Sequence, residues 1–190
     1  MVRHTKLFVL SIVLTLALTS CVGSTPVATE TSSTKMLTDT AYTMQVFSSW
    51  NNVAATDLDT TIAPSHVQVF QSLQPIKGIY SKLSVIKEDL LTPTTSVAFA
   101  DQNILNTPKI TQNYTRMQTM EATIAGERTV IHIYEGQSTA LSPQMLFIQT
   151  FLVKNGTTGF TITFSVSPSV TDTTPYLNLL QSFQFTNTSQ

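Results

Sequence analysis

The chain contains one cysteine in 190 residues, Cys21, so no intramolecular disulfide can stabilise it. Charged residues are also scarce, at 11% of the chain, against roughly 25% in typical soluble domains. The formal net charge of −1 excludes the strongly basic surface that nucleic-acid binding requires. Stability must therefore come from packing of apolar side chains, and we expect no nucleic-acid partner.

Motifs of catalysis and cofactor binding are missing as well. The chain has no Gly-x-Ser-x-Gly elbow, no phosphate-binding loop, no dinucleotide fingerprint and no zinc-type His or Cys spacing. We therefore predict no catalytic residue, no cofactor and no metal site. Two positions keep two interpretations each. Asp57 and Asp59 lie either in a metal-binding loop or in a solvated loop. His132 either binds a metal ion together with Glu135 or Glu121, or is a strand residue that makes one hydrogen bond.

The N-terminus has the features of a secretory signal. Two basic residues precede an apolar run at residues 7–18, which is shorter than the roughly 20 residues of a membrane-spanning helix. The following Leu-Thr-Ser-Cys, residues 18–21, resembles the bacterial lipobox. That resemblance implies cleavage after residue 20 and a lipid-modified Cys21 as the new N-terminus. The alternative is an ordinary signal peptide with an incidental cysteine.

This reading predicts three parts: a signal peptide at residues 1–20, a lipidated stalk at residues 21–39 and a domain at residues 40–187. The stalk prediction rests on its serine and threonine content and its lack of hydrophobic periodicity. The protein should then be anchored by lipid on the extracytoplasmic side of a bacterial membrane. Whether this is the inner or the outer membrane stays open.

The C-terminal third carries the strongest structural pattern. Asn155-Gly156 separates two apolar runs, residues 145–153 and 160–166, which predicts a hairpin with a type I′ turn. The first run is apolar throughout and should be covered on both faces. The second run alternates apolar and hydroxyl residues, which predicts one buried and one solvent-exposed face.

A closing helix is predicted by four apolar residues that share one helical face, with Thr174 as the cap and Pro175 in the first turn. The four are Tyr176, Leu179, Leu180 and Phe183.

The preceding region predicts further strands and one more helix. The strands are expected at residues 42–47, 66–70 and 81–88, and a hairpin at 114–135 turns at Ala125-Gly126. Thr94 or Thr95 should cap a helix with Val97, Ala100 and Ile104 on its apolar side, ended by Pro108. Residues 51–61 should form a polar loop with a short helical turn. Trp50 is expected in the core, with ligand stacking as the alternative.

This order of elements resembles the PsbP-like domain of the Mog/PsbP fold. The resemblance rests on the aromatic-led strand running to Trp50, the strand and helix at residues 83–105, the hairpin at Gly126 and the closing block at residues 151–185. One departure is Phe-Ser-Ser before Trp50, where the family usually has a Tyr-Pro pair. The resemblance implies an α+β single domain, an antiparallel sheet flanked by helices as an α/β/α sandwich.

Members of this fold include an extrinsic photosystem II subunit, a Ran-binding protein and bacterial lipoproteins. The resemblance therefore implies a non-enzymatic binding or accessory module, which we expect to engage a protein partner at the cell envelope. An envelope carrier or chaperone for an apolar ligand is the alternative, and it would need an apolar cavity. A small hydrolase is the least favoured reading.

Overall fold

The computed structural model describes residues 33–54 and 66–186. This part of the chain contains ten strands and two helices. In chain order they are β1 (Thr34–Thr38), β2 (Tyr42–Phe47), β3 (Trp50–Val53), β4 (Val67–Ser72), β5 (Lys82–Asp89), α1 (Ser96–Ile110), β6 (Gln112–Ile124), β7 (Glu127–Gln137), β8 (Met145–Lys154), β9 (Thr158–Val166), α2 (Thr174–Gln181) and β10 (Gln184–Phe185).

The strands form two antiparallel sheets. The large sheet has seven strands in the order β3-β4-β5-β9-β8-β7-β6, and the small sheet has three in the order β1-β2-β10. Neighbouring strands pair in antiparallel fashion throughout both sheets. The predicted fold class, a single α+β domain with an antiparallel sheet flanked by helices, is confirmed.

Both faces of the large sheet pack against other elements. One face meets β2 and α2 in the main core, where Trp50, Phe164 and Tyr176 are almost fully buried. Trp50 lies 5.9 Å from Phe164 between ring centroids, so its predicted core role is confirmed. The other face meets α1 through a smaller cluster that contains Phe99, Phe151 and four further apolar residues, namely Ala100, Ile104, Val130 and Val153. The result is a layered sandwich.

Both predicted hairpins are confirmed. Asn155 and Gly156 have φ values of 54° and 76°, and Ala125 and Gly126 have 53° and 80°, as a type I′ turn requires. Strand β8 lies inside the sheet and is buried on both faces, as predicted. The hydroxyl face of β9 is less exposed than predicted, because Gln149 on β8 donates a 2.8 Å hydrogen bond to Thr163 and covers it.

Helix α1 begins as predicted but continues further. Thr95 caps it by accepting a 3.2 Å hydrogen bond from the backbone N–H of Ala98. Pro108 lies inside the helix and does not end it, so that prediction was wrong. A proline removes only its own N–H donor, and the following residues restore the pattern, since the backbone N–H of Thr111 donates to Thr107. Val97 is partly exposed, and Phe99 fills the buried face instead.

Helix α2 buries Tyr176, Leu179 and Leu180 as predicted, and Phe183 is buried just beyond its end. Its cap is not Thr174, which is the first helical residue. The N-cap is Thr173, whose side chain makes no capping hydrogen bond, and the carboxylate of Asp172 accepts a 2.9 Å hydrogen bond from the N–H of Thr174 beside it. This hydrogen bond holds the pKa of Asp172 below its ordinary value.

Two boundaries differ from the sequence prediction. Residues 34–38, assigned to the stalk, form β1 and pair with β2. The ammonium group of Lys35 donates a 2.6 Å hydrogen bond to the carbonyl of Trp50 and fixes β1 against the domain. Asn51 to Val53 belong to β3, because their backbone pairs with β4. The predicted signal peptide, Cys21 and the Asp57–Asp59 loop lie outside the described residues.

Candidate functional site

The candidate site lies on the face of the large sheet that carries α1, which we call the α1 face. Helix α1 packs on β7 and β8, and its apolar side chains meet Val130, Phe151 and Val153 there. The β5 and β9 side chains that point to the same face, Ser84, Ile86, Thr161 and Ser165, are only half-buried. Helix α1 therefore leaves part of this face accessible to a ligand or partner.

A row of side chains crosses the accessible part of the α1 face. Cross-strand pairing places Gln71 beside Lys82, Lys82 beside Ser165, and Ser165 beside Phe147. The row continues through Tyr134 on β7. Directly opposed residues in antiparallel strands project to the same face. Positions that are far apart in sequence thus form one line, polar and cationic at the β4 and β5 end and aromatic at the β8 and β7 end.

Two loops rise beside the polar end of this row and enclose a cleft of about 350 Å³, which we call the Lys82 cleft. Its polar lining comes from Gln71, Lys82, Ser138, Ser142 and Ser165. Its apolar lining comes from Ile79, Tyr80, Pro143, Met145 and Phe147. Lys82 is the one charged residue in this lining, so the cleft combines a single cation with hydroxyl, amide and apolar groups.

Local hydrogen bonds hold both walls of the Lys82 cleft. Ile76 and Ile79 exchange two backbone hydrogen bonds of 2.9 and 3.0 Å across the Lys77-Gly78 turn, where φ is 49° and 80°. On the opposite wall the hydroxyl of Ser142 accepts a 2.9 Å hydrogen bond from the N–H of Thr139. Both walls are therefore built from internally bonded turns, which favours a preformed cleft.

A second cleft, of about 520 Å³, lies between α1 and the sheet. Asn103, Asn106 and Ile110 of α1 face Ile86 and Gln149 of the sheet across it. A third, of about 550 Å³, lies near the start of α1 beside Pro93. All three clefts open to solvent.

His132 is fully buried in an aromatic stack on the α1 face. Its ring stacks on Tyr134 at 4.8 Å between centroids, and Tyr134 stacks on Phe147 at 4.9 Å. The Tyr114 hydroxyl lies 3.1 Å from Nε2 of His132, and the Thr119 hydroxyl lies 3.3 Å from Nδ1. Both ring nitrogens therefore have hydroxyl partners.

Burial in the aromatic stack shifts the pKa values of His132 and Tyr134. Burial, together with the charge of nearby Arg116, lowers the pKa of His132 from 6.5 to about 4, so the imidazole is neutral at pH 7. Burial likewise raises the pKa of the Tyr134 hydroxyl, with a smaller contribution from Tyr114. A neutral histidine with both nitrogens engaged acts here as a structural hydrogen-bonding group.

Of the two hypothetical metal sites, only the one at His132 lies within the described residues. His132 is fully buried, whereas the carboxylate of Glu121 is largely exposed and lies 3.5 Å from the guanidinium of Arg128. Glu135 is three residues from His132 on β7, so its side chain projects to the opposite face of the sheet. Residues 33–54 and 66–186 contain no group of three or more His, Cys, Asp or Glu side chains placed to hold a metal ion. The Asp57–Asp59 alternative lies outside those ranges. Neither α1 nor α2, the helices of the described ranges, has the length and apolar character needed to cross a membrane.

Solved structures with the same architecture share little sequence with this chain. The Ran-binding protein Mog1p of Saccharomyces cerevisiae matches with a TM-score of 0.56 at 12% identity, over 83% of this chain and 97% of Mog1p. Cyanobacterial PsbP from Synechocystis sp. PCC 6803 matches with a TM-score of 0.54 at 17% identity, over 89% of this chain and 99% of that protein. The domain has the PsbP/Mog1 fold.

A Pseudomonas aeruginosa protein of unknown function shares the PsbP/Mog1 fold too, with a TM-score of 0.53 at 10% identity over 78% of this chain and 94% of that one. No protein-family model matches the chain, and no curated protein sequence does either. At such low identities the likeness establishes the fold, which hosts different functions in different proteins. Function has to be argued from the α1 face itself.

Neither Lys82 nor the serines of its cleft are predicted as site residues by the sequence. Lys82 is one of ten Lys and Arg residues, and no local pattern distinguishes it from the others. Only the register of β4, β5, β9 and β8 brings it beside Ser165 and Phe147. The exposed Tyr80 before β5 was the one local signal, since a large aromatic side chain on a loop favours a binding surface.

Proposed function

We propose that this protein is a non-enzymatic binding module, anchored by lipid at Cys21 on the extracytoplasmic side of a bacterial membrane, and that it engages a protein partner at the cell envelope. The Lys82 cleft on the accessible α1 face is the observation that carries the binding role. The position of the sole cysteine directly after the apolar leader supports the anchor. That Mog1p, of the same fold, is a Ran-binding protein is consistent with a protein partner.

Packing favours this role over that of an apolar carrier. The main core is filled by large side chains such as Trp50, Phe160 and Phe164, each essentially inaccessible to solvent. The three clefts are open and carry charged or amide groups in their linings. An apolar ligand placed in such a cleft would leave those polar groups without partners, at a cost of about 1–3 kcal/mol for each.

The Lys82 cleft also favours binding over hydrolysis. Its lining has three serines, but it includes neither a histidine nor a carboxylate that could activate one of them as a nucleophile. In this setting the hydroxyl groups serve as hydrogen-bond donors and acceptors. The proposed site is therefore a recognition surface.

Replacing Cys21 with serine is expected to release the protein from membranes. Lipid chains contribute about 0.8 kcal/mol for each buried methylene group, so an unacylated chain loses its anchor. Fractionation of cells should find the wild-type protein in the membrane pellet and the variant in the soluble fraction, with the same thermal midpoint. A variant that stays entirely in the pellet would rule out the anchor.

A photo-crosslinking residue in place of Tyr80, which is 44% exposed and lines the cleft, is expected to capture one partner protein in living cells. The same residue in place of Gln181, exposed on α2 on the opposite side of the sheet, is the matched control. We expect a discrete adduct from position 80 only, which disappears when Lys82→Gln is added. Equal labelling from both positions would contradict a partner site on the α1 face.

A further inference from the structure

The Lys82 cleft has the chemistry of a site for one carboxylate beside an apolar group. Lys82 is the sole charge in its lining, and its ammonium group has no hydrogen-bond or ion-pair partner among residues 33–54 and 66–186. The chain as a whole has a formal net charge of −1, so the positive charge in the cleft comes from Lys82 and not from a generally basic surface. An anionic group on a ligand is the complement of an unpaired ammonium group.

The uncharged residues of the cleft indicate which class of molecule carries the carboxylate. Ile79 and Tyr80 give apolar surface on one side of the cleft and Met145 and Phe147 on the other, while Ser138, Ser165 and Gln71 supply hydroxyl and amide groups. A polypeptide backbone offers alternating donors and acceptors that can satisfy these groups, whereas a fatty chain cannot. A single ammonium group neutralises a monovalent carboxylate, whereas a phosphomonoester with up to about two negative charges would leave charge unpaired in the cleft.

The spacing of the row fits an extended segment. Lys82 on β5 and Phe147 on β8 are separated by β9, so their backbones are about 10 Å apart, at about 4.8 Å for each strand spacing. In an extended peptide, side chains at i and i+2 lie on one face about 7 Å apart, and the flexible stem of Lys82 can cover the remainder. The cleft volume of about 350 Å³ is at the lower end of ordinary ligand pockets, roughly 300–1,000 Å³.

We propose that the Lys82 cleft binds an extended segment of the partner polypeptide that carries a carboxylate two positions from an aromatic side chain. The carboxylate pairs with Lys82 on β5, and the aromatic ring packs against Met145 and Phe147 on β8. This inference rests on the proposed function and specifies the partner chemistry of the same site.

Binding of a fluorescein-labelled peptide, Gly-Ser-Glu-Thr-Phe-Ser-Gly, to the purified full chain in detergent solution tests the proposal by fluorescence anisotropy. We expect saturable binding that weakens about tenfold in Lys82→Gln and less than about twofold in the control Lys87→Gln on the same strand. A peptide with glutamine in place of its glutamate should bind as weakly as the first peptide binds Lys82→Gln. With this second peptide, Lys82→Gln should have no further effect.

A variant that fills the cleft with a large uncharged side chain tests the same site without changing its charge. Ser138 is exposed at the rim of the cleft, and Ser138→Trp is expected to abolish peptide binding with an unchanged thermal midpoint. Equal peptide affinities of wild-type protein and Lys82→Gln would overturn the proposal, as would no binding by the wild type at about 1 mM peptide. Lys82-dependent binding of the unacylated Cys21→Ser chain to phosphatidylglycerol vesicles, without peptide binding, would assign the cleft to a lipid surface instead. Peptide binding in detergent depends neither on membrane anchoring through Cys21 nor on the cellular partner, so its failure is separable from failure of the anchor or of the crosslinking result.

Discussion

Replacing Gly159 with alanine is expected to lower the free energy of unfolding by about 2 kcal/mol, as overpacking of a filled core does. Gly159 lies on β9 directly beneath the ring of Phe99 on α1. A Cβ atom at this position would be 2.8 Å from Cζ and 3.1 Å from Cε1 of Phe99, and 3.2 Å from Cδ2 of Leu90. Phe99 is itself buried, 6.1 Å from Phe151 between ring centroids, so its ring has little room to move.

A double-mutant cycle with Phe99→Leu identifies the cause of that loss. Leucine lacks the two ring atoms that the new methyl group would meet, so Gly159→Ala should be nearly neutral in the Phe99→Leu background. It could even gain up to about 1 kcal/mol there, because glycine is entropically unfavourable in a strand. Urea unfolding of the four proteins measures the coupling. Equal losses in both backgrounds would show that Phe99 does not set the requirement for glycine.

The sequence predicted those elements whose signals are local. Asn155-Gly156 and Ala125-Gly126 have the φ > 0 conformations that a type I′ turn requires, so each turn brings the strands on either side of it into an antiparallel pair. Thr95 provided a hydroxyl at the start of an apolar helical face and caps α1. In each case the determining atoms lie within a few residues of one another, which allows a sequence pattern to predict the structure.

Elements that depend on distant partners were missed. β1 has four exposed residues out of five and no alternation of apolar side chains, so its strand conformation comes from the free edge of β2. Pro108 was expected to end α1, but Thr107 is buried by the rest of the fold and accepts a backbone hydrogen bond from Thr111, so the helix continues to Ile110. The row from Gln71 to Tyr134 crosses five strands, and the strand order β4-β5-β9-β8-β7 that creates it cannot be read from any single segment.

Acidification is expected to destabilise the domain through His132. The pKa of His132 is lowered to about 4 in the folded protein and returns to about 6.5 on unfolding. Between these values the unfolded chain binds more protons, so the contribution of neutral His132 is complete above pH 6.5 and is lost as the pH falls toward 4. The difference between the folded and unfolded pKa values corresponds to about 3 kcal/mol of unfolding free energy, at about 1.4 kcal/mol for each tenfold change in proton affinity.

The variant His132→Gln isolates this contribution from every other effect of acidification. Gln can donate to one hydroxyl and accept from the other, in place of the imidazole between Tyr114 and Thr119. Urea unfolding at pH 7 and pH 4.5 should show a smaller loss on acidification for this variant than for the wild type. His66→Gln, a substitution outside the aromatic stack, should retain the wild-type loss.

In the folded wild type the His132 ring proton should keep its NMR chemical shift down to about pH 5. Titration of that signal near pH 6.5 would mean that the stack does not exclude the charged imidazole, and the predicted acid sensitivity would lose its cause.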